Sequence, residues 1–77
     1  MTNEEKLEQQ IEAMGFDIEI ESEPNWTQVW ISNKDQAYLI NFWDDGAAVR
    51  ICGTNITRRF GWYESALRFI IKHHKNL

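Results

Sequence analysis

Residues 26–43 read WTQVWISNKDQAYLINFW, and this stretch decides the fold. Its two largely apolar runs, 26–32 and 36–43, are rich in the aromatic and β-branched residues that favour strands. The polar segment between them, residues 33–35 (NKD), is typical of a turn. Side chains along a strand alternate between its two faces. We therefore predict two neighbouring antiparallel strands joined by this turn.

Both predicted strands carry apolar side chains on both faces. Val29 and Ile31 point to one face of the first strand, while Trp26 and Trp30 point to the other together with Gln28. Two short helices can cover one face of such a sheet but not both, and a glutamine buried without partners is costly. We therefore predict that the face with the tryptophans is partly wet and forms a partner-binding or self-association surface.

The rest of the predicted sheet lies on either side of this pair. Residues 16–21 alternate apolar and acidic side chains, as in a half-buried strand, and the segment around Pro24 ends it. Residues 44–46 (DDG) predict a tight turn, because glycine accepts a positive φ. A short fourth strand is predicted over 47–52, followed by a loop from residue 53 to residue 60. The alternative to exposed tryptophans is that this loop and the helix ends cover them.

Helical patterns are found near both ends of the chain. Thr2 and Glu5 fit a capping box, and apolar residues at steps of three and four predict a helix over residues 3–14. A second apolar stripe predicts a helix that begins near residue 63. The predicted fold is a single α+β domain spanning residues 1–77. It consists of an N-terminal helix, a four-stranded antiparallel meander and a C-terminal helix, in two layers.

Charge is divided unevenly along the chain. Residues 1–23 hold eight acids and one base, residues 24–45 add a charge of −2, and residues 46–77 hold six bases and one acid. The net charge is −4. Clustered charges select partners and set encounter rates. The division therefore favours a function carried by surfaces rather than by a catalytic pocket.

No arrangement of residues predicts catalysis, a metal site or a cofactor, so we expect a non-enzymatic protein. His73 and His74 are adjacent, diverge by about 100° on a helix and cannot chelate one ion together. We expect His74 at the edge of the core and His73 as a helix-end charge. Cys52 is expected to be a small buried hydrophobe. A lone cysteine, no membrane-length apolar run and no signal peptide predict a cytoplasmic protein.

The basic C-terminal part of the chain predicts an alternative function, nucleic-acid binding. Its cations are interleaved with aromatic rings, as on nucleic-acid surfaces. The order helix, strands, helix resembles the double-stranded-RNA-binding domain, which implies RNA binding by the last helix. However, residues 60–65 (FGWYES) stand where that family is rich in lysine. The candidate residues are Arg58, Arg59, Arg68, Lys72 and Lys75. The simpler interpretation is that these bases neutralise the acidic first helix and strand.

In size, acidity and element order the chain also resembles small proteins that phages and mobile elements encode to inhibit host machinery, anti-CRISPR proteins among them. The resemblance implies a stoichiometric binder whose acids imitate phosphates and occupy the basic cleft of a nucleic-acid-handling host protein. We therefore predict a small protein-binding inhibitor or regulator whose partner is another protein or a second copy of the chain, with no membrane involved. The predicted partner-binding residues are Glu4, Glu5, Glu8, Glu12, Glu19, Glu21, Trp26 and Trp30. An ordinary solvated acidic face fits the same pattern.

Overall fold

The computed structural model describes residues 1–76. Two helices pack on one face of a five-stranded antiparallel sheet. The elements are α1 (Asn3–Ala13), β1 (Asp17–Ser22), β2 (Thr27–Ser32), β3 (Ala37–Trp43), β4 (Gly46–Ile51), β5 (Thr57–Phe60) and α2 (Tyr63–Lys75). The α+β fold predicted from the sequence is confirmed, but the sheet has five strands rather than the expected four.

The sheet is a simple meander in which strands that follow one another along the chain are neighbours in space. Its register pairs Val29 on β2 with Ile40 on β3, and Ile40 with Val49 on β4. Cross-strand partners point to the same face, and all three of these side chains are fully buried. We call this side the covered face, because the helices lie over it.

The strand that the sequence analysis missed is β5. It pairs with β4, placing Arg58 opposite Val49 and Arg59 opposite Ala48. Three of its four side chains are exposed, so main-chain pairing with β4 and the single core contact of Phe60 hold it in place. A strand of this kind leaves no apolar periodicity to detect. Because residues 57–60 extend the edge of the sheet, they do not cover the tryptophans.

The turn between β3 and β4 differs from its predicted geometry. Trp43 pairs with Gly46, which leaves Asp44 and Asp45 as a two-residue loop. Among residues 1–76, positive φ occurs only at two other glycines, so the prediction that Gly46 supplies it is wrong. A Cβ atom at Gly46 would lie 3.3 Å from Nε1 of Trp43. The glycine therefore lets the Trp43 indole lie closer to the backbone of β4 than a Cβ atom would.

The core lies between the covered face and the helices. Leu67 and Ile70 on α2 and Ile11 on α1 are fully buried, in agreement with the predicted stripes. α2 lies over β3, β4 and β5, whereas α1 contacts β1 and α2. The capping box between Thr2 and Glu5 is present, as predicted. The helices therefore form one layer on one side of the sheet.

Two tyrosine hydroxyls connect the elements around this core. The hydroxyl of Tyr63 donates to the Glu8 carboxylate at 2.6 Å and joins α2 to α1. Burial, followed by the hydrogen bond to Glu8, raises the pKa of Tyr63 far above its ordinary value. Tyr38 shares a 2.7 Å hydrogen bond with Nδ1 of His73, so His73, in the last turn of α2, joins this helix to β3. His74 is half-buried at the edge of the core, as predicted.

Candidate interaction surface on the open face of the sheet

We call the sheet face opposite the helices the open face. Its residues alternate along each strand with those of the covered face, and the register assigns them to rows. The first row contains Glu19, Trp30, Leu39 and Arg50. The second row contains Glu21, Gln28, Asn41, Ala48 and Arg59. Trp26 and Trp43 lie beyond the second row, at the end of the face nearest the β3–β4 turn.

The centre of the open face is apolar and accessible. Trp30 is 37% exposed and Trp26 is 40% exposed. Val29, the neighbour of Trp30 on the same strand, points to the covered face and is fully buried. Leu39 lies beside Trp30 in the first row and is half-buried. The prediction that the tryptophans lie on a partly wet face is confirmed, since no helix or loop within residues 1–76 shields them.

A cleft of about 490 Å³ opens at one end of the open face. Trp26 and Trp43 line it together with Gln28 and Asn41, which are register partners in the adjoining second row. In the described part of the chain, neither side-chain amide hydrogen-bonds to another protein group. Each amide therefore has donors and acceptors available for a bound molecule. Two tryptophan rings beside two side-chain amides with free hydrogen-bonding groups are suited to contact another protein chain.

The charges of the open face are sorted by strand. Glu19 and Glu21 lie on β1, at one edge of the sheet, whereas Arg50 and Arg59 lie on β4 and β5. With strands about 4.8 Å apart, Glu19 and Arg50 are separated by about 14 Å, too far to form an ion pair. The one ion pair found within residues 1–76 lies elsewhere. The open face therefore presents an acidic side and a basic side, both available to a partner.

The structure divides the predicted acidic residues between the two layers. Glu19 and Glu21 are on the open face, but the acids of α1 belong to the helix layer. Glu4 accepts a 3.3 Å hydrogen bond from Nε1 of Trp62, and Glu8 is bonded to a tyrosine, as described above. Glu5 closes the capping box, and Glu12 is exposed. The eight predicted partner-binding residues do not form one surface, because only the two strand acids join the tryptophans.

The predicted basic residues are divided in the same way. Arg59 points to the open face and Arg58 to the opposite side of β5, as the register requires. Arg68 is paired with Glu64 at 3.2 Å. Lys72 and Lys75 line a groove between the two helices, together with Leu7 and Ile71. The bases therefore form no single patch for a nucleic-acid backbone.

The described residues hold no ready-made cluster of metal ligands. Residues 1–76 contain no group of three or more histidine, cysteine or acidic side chains placed to hold a metal ion. Cys52 is half-buried and free. In that same part of the chain, no helix is long and apolar enough to cross a membrane.

Four residues that share the open face with the tryptophans were not among the partner-binding residues predicted from the sequence. They are Leu39, Asn41, Trp43 and Arg50. Their position along the strands was a usable signal, since residues that alternate in step with Trp30 share its face. Arg59 was assigned only to the nucleic-acid alternative, because its place on the open face depends on β5. Comparison with protein-family models, with curated proteins and with solved structures finds no match.

Proposed function

We propose that the protein is a small non-enzymatic inhibitor or regulator that acts by binding another protein chain through the open face of its sheet. The observation that carries the proposal is the exposure of Trp26 and Trp30 on the face that the helices leave uncovered. Tryptophan is enriched among the residues that dominate binding energy. An apolar centre with a polar, charged rim is the usual composition of a protein interface.

Stoichiometric binding needs no catalytic group, and it uses the surface that the fold provides. Glu19 and Glu21 give the open face an acidic side, so a partner with bases opposite them is favoured. Basic clefts are characteristic of proteins that handle nucleic acids, because phosphates must be neutralised there. A cytoplasmic protein of this class is the proposed target, and the resemblance to small acidic inhibitors supports the inhibitory role.

Nucleic-acid binding is the weaker alternative. A single strand laid across the open face could stack on Trp30 and meet Arg50 and Arg59, but its phosphates would also approach Glu19 and Glu21. The bases of α2 lie in the other layer and cannot contribute to the same site. The acidic side of the open face therefore favours a protein partner over a polyanion.

Site-specific photocrosslinking in living cells tests the proposal. A benzophenone amino acid at Leu39 samples the centre of the open face, and the same group at Gln9, exposed on α1, serves as the matched control. We expect a protein adduct from position 39, absent from position 9 and lost when Trp30→Arg is added. Equal adducts from both positions, or none from position 39, would contradict the proposal. A nuclease-sensitive adduct would instead support the nucleic-acid alternative.

A further inference from the structure

We propose that the open face, when no target occupies it, pairs with a second copy of this chain, packed face to face about a two-fold axis that runs along β3. The inference goes beyond the proposed function but uses the same face, so the dimer and the complex with the target exclude one another. Two-fold dimers are the commonest protein assemblies, and their interface pairs one surface with itself. The open face must therefore be complementary to its own copy.

The order of charges across the open face meets this requirement. β3 is the central strand of five, so rotation about an axis along it exchanges β1 with β5 and β2 with β4. The acids lie on β1 and the bases on β4 and β5. Each acidic side therefore lies over the basic side of the other copy. A two-fold axis across the strands would place β1 on β1, acid against acid, which is unfavourable.

Residues of the two copies that lie in the same row also form favourable pairs. In the second row, Glu21 on β1 lies opposite Arg59 on β5 of the other copy. In the first row, Trp30 on β2 lies opposite Arg50 on β4, and a guanidinium over an indole is a favourable cation–π pair. Leu39 lies on the axis and meets its own copy. Packed sheets cross at about 30°, which preserves contacts close to the axis.

The open face is large enough for such a dimer. The Cα extents of the molecule are 32 × 32 × 19 Å. With five strands about 4.8 Å apart and six or seven residues in most of them, the open face is about 20–24 Å on each side before its side chains are counted. A standard interface buries about 800 Å² per partner, so the dimer must use most of this face. The dimer would remove both exposed tryptophans of the open face from water.

Charge reversal tests both the dimer and its arrangement. The first variant carries Glu19→Lys with Glu21→Lys, the second carries Arg50→Glu with Arg59→Glu, and the third carries all four changes. The side chains of these four residues are exposed, so circular dichroism should show each variant folded. We expect wild type to sediment with twice its 9.2 kDa mass. Dimerisation should weaken about tenfold or more in each double variant, because like charges then face each other.

The variant with all four changes should regain part of the wild-type affinity, because rotation about β3 again places opposite charges at positions 21 and 59, although the cation–π pair of Trp30 with Arg50 stays lost. The wild-type dimer should also weaken as salt is added. Monomeric wild type at every concentration would overturn the inference, as would double variants that dimerise like wild type or a quadruple variant that stays monomeric. The crosslinking at Leu39 separates the two proposals. An adduct to a different protein, with monomeric wild type, overturns the dimer and leaves the proposed function standing.

Discussion

The two faces of the sheet are built from the same strands but are completed in different ways. On the covered face, Val29 and Ile40 belong to the core beneath the helix layer and are fully buried. On the open face, Trp30 and Leu39 occupy the next position along the same strands and keep part of their surface in water. The apolar residues of one face therefore stabilise the monomer, while those of the other are available for association. Apolar composition alone therefore does not make a sheet face part of the core. The face also needs helices packed over it.

The largest predicted effect contrasts two neighbours on β3. Ile40→Ala removes a side chain that is fully buried among the helices and strands, and we expect a loss of about 2–5 kcal/mol in the free energy of unfolding. Leu39→Ala, on the open face, should cost less, about 1–2 kcal/mol in the dilute monomer, because part of its side chain is already in water. Urea unfolding measures both. Equal losses in the free energy of unfolding would show that the two faces of the sheet are equally packed.

Trp30 provides the second test. We expect Trp30→Ala to weaken association of the open face by about 2 kcal/mol, the effect typical of a central interface tryptophan. Its effect on monomer stability should fall well below the roughly 3–5 kcal/mol of a buried tryptophan. Titration calorimetry or sedimentation gives the first quantity and denaturant unfolding the second. A large loss of monomer stability with unchanged association would place Trp30 in the core instead.

Alkaline pH affects Tyr63, a buried residue of α2 in the helix layer that packs on the covered face. In the unfolded chain Tyr63 loses its proton near the ordinary value of 10.0, whereas in the folded protein its pKa is raised by burial and by Glu8. This contribution to stability is therefore complete below about pH 10 and is lost as the pH rises above it. Tyr63→Phe should cost about 1 kcal/mol at neutral pH through the lost hydrogen bond. The free energy of unfolding of the variant should then fall less steeply above pH 10.

The free energy of unfolding, measured as a function of pH for wild type and Tyr63→Phe, checks this prediction. The alkaline loss that remains in the variant is expected from Tyr38, whose pKa is also raised by burial. Identical alkaline slopes in the two proteins would show that Tyr63 ionises as easily in the folded protein as in the unfolded chain.

The smallest predicted effect concerns Gly46 on the open face. A methyl group there would press on the Trp43 indole, so Gly46→Ala should shift the ring by a few tenths of an ångström. We expect a loss of about 1 kcal/mol or less and a change in the tryptophan fluorescence spectrum. Gly61→Ala is the matched control, since no heavy atom lies within 4 Å of its added Cβ. A spectrum unchanged by Gly46→Ala would mean that the indole does not rest on β4.

Much of this fold follows from local sequence. The capping box at Thr2 predicted the start of α1 correctly, and the alternation through Trp30 predicted the two sheet faces. The fifth strand could not be predicted, because Thr57–Phe60 is held by main-chain pairing and buries little apolar surface. The role of Gly46 could not be predicted either, because it depends on where a tryptophan on another strand places its ring.

The candidate surface was predicted only in part for a related reason. Sequence shows that Glu8 and Glu21 are both acidic, but their positions in different layers follow from the packing of α1 against α2 and β1. Glu8 is held by Tyr63 across a sequence separation of 55 residues. Contacts at that distance along the chain depend on tertiary structure and are invisible to periodicity.

Hydroxyl-radical footprinting read by mass spectrometry tests the central claim, that the open face is accessible in the monomer and covered in the complex. The oxidation of Trp30 is compared with that of Tyr38, which is fully buried on the covered face. We expect Trp30 to be oxidised readily in the dilute monomer and to be protected once its partner binds. Tyr38 should be protected in both states. If Trp30 is already protected in the dilute monomer, the open face is not accessible. If Trp30 stays equally reactive with its partner bound, the open face is not the binding surface.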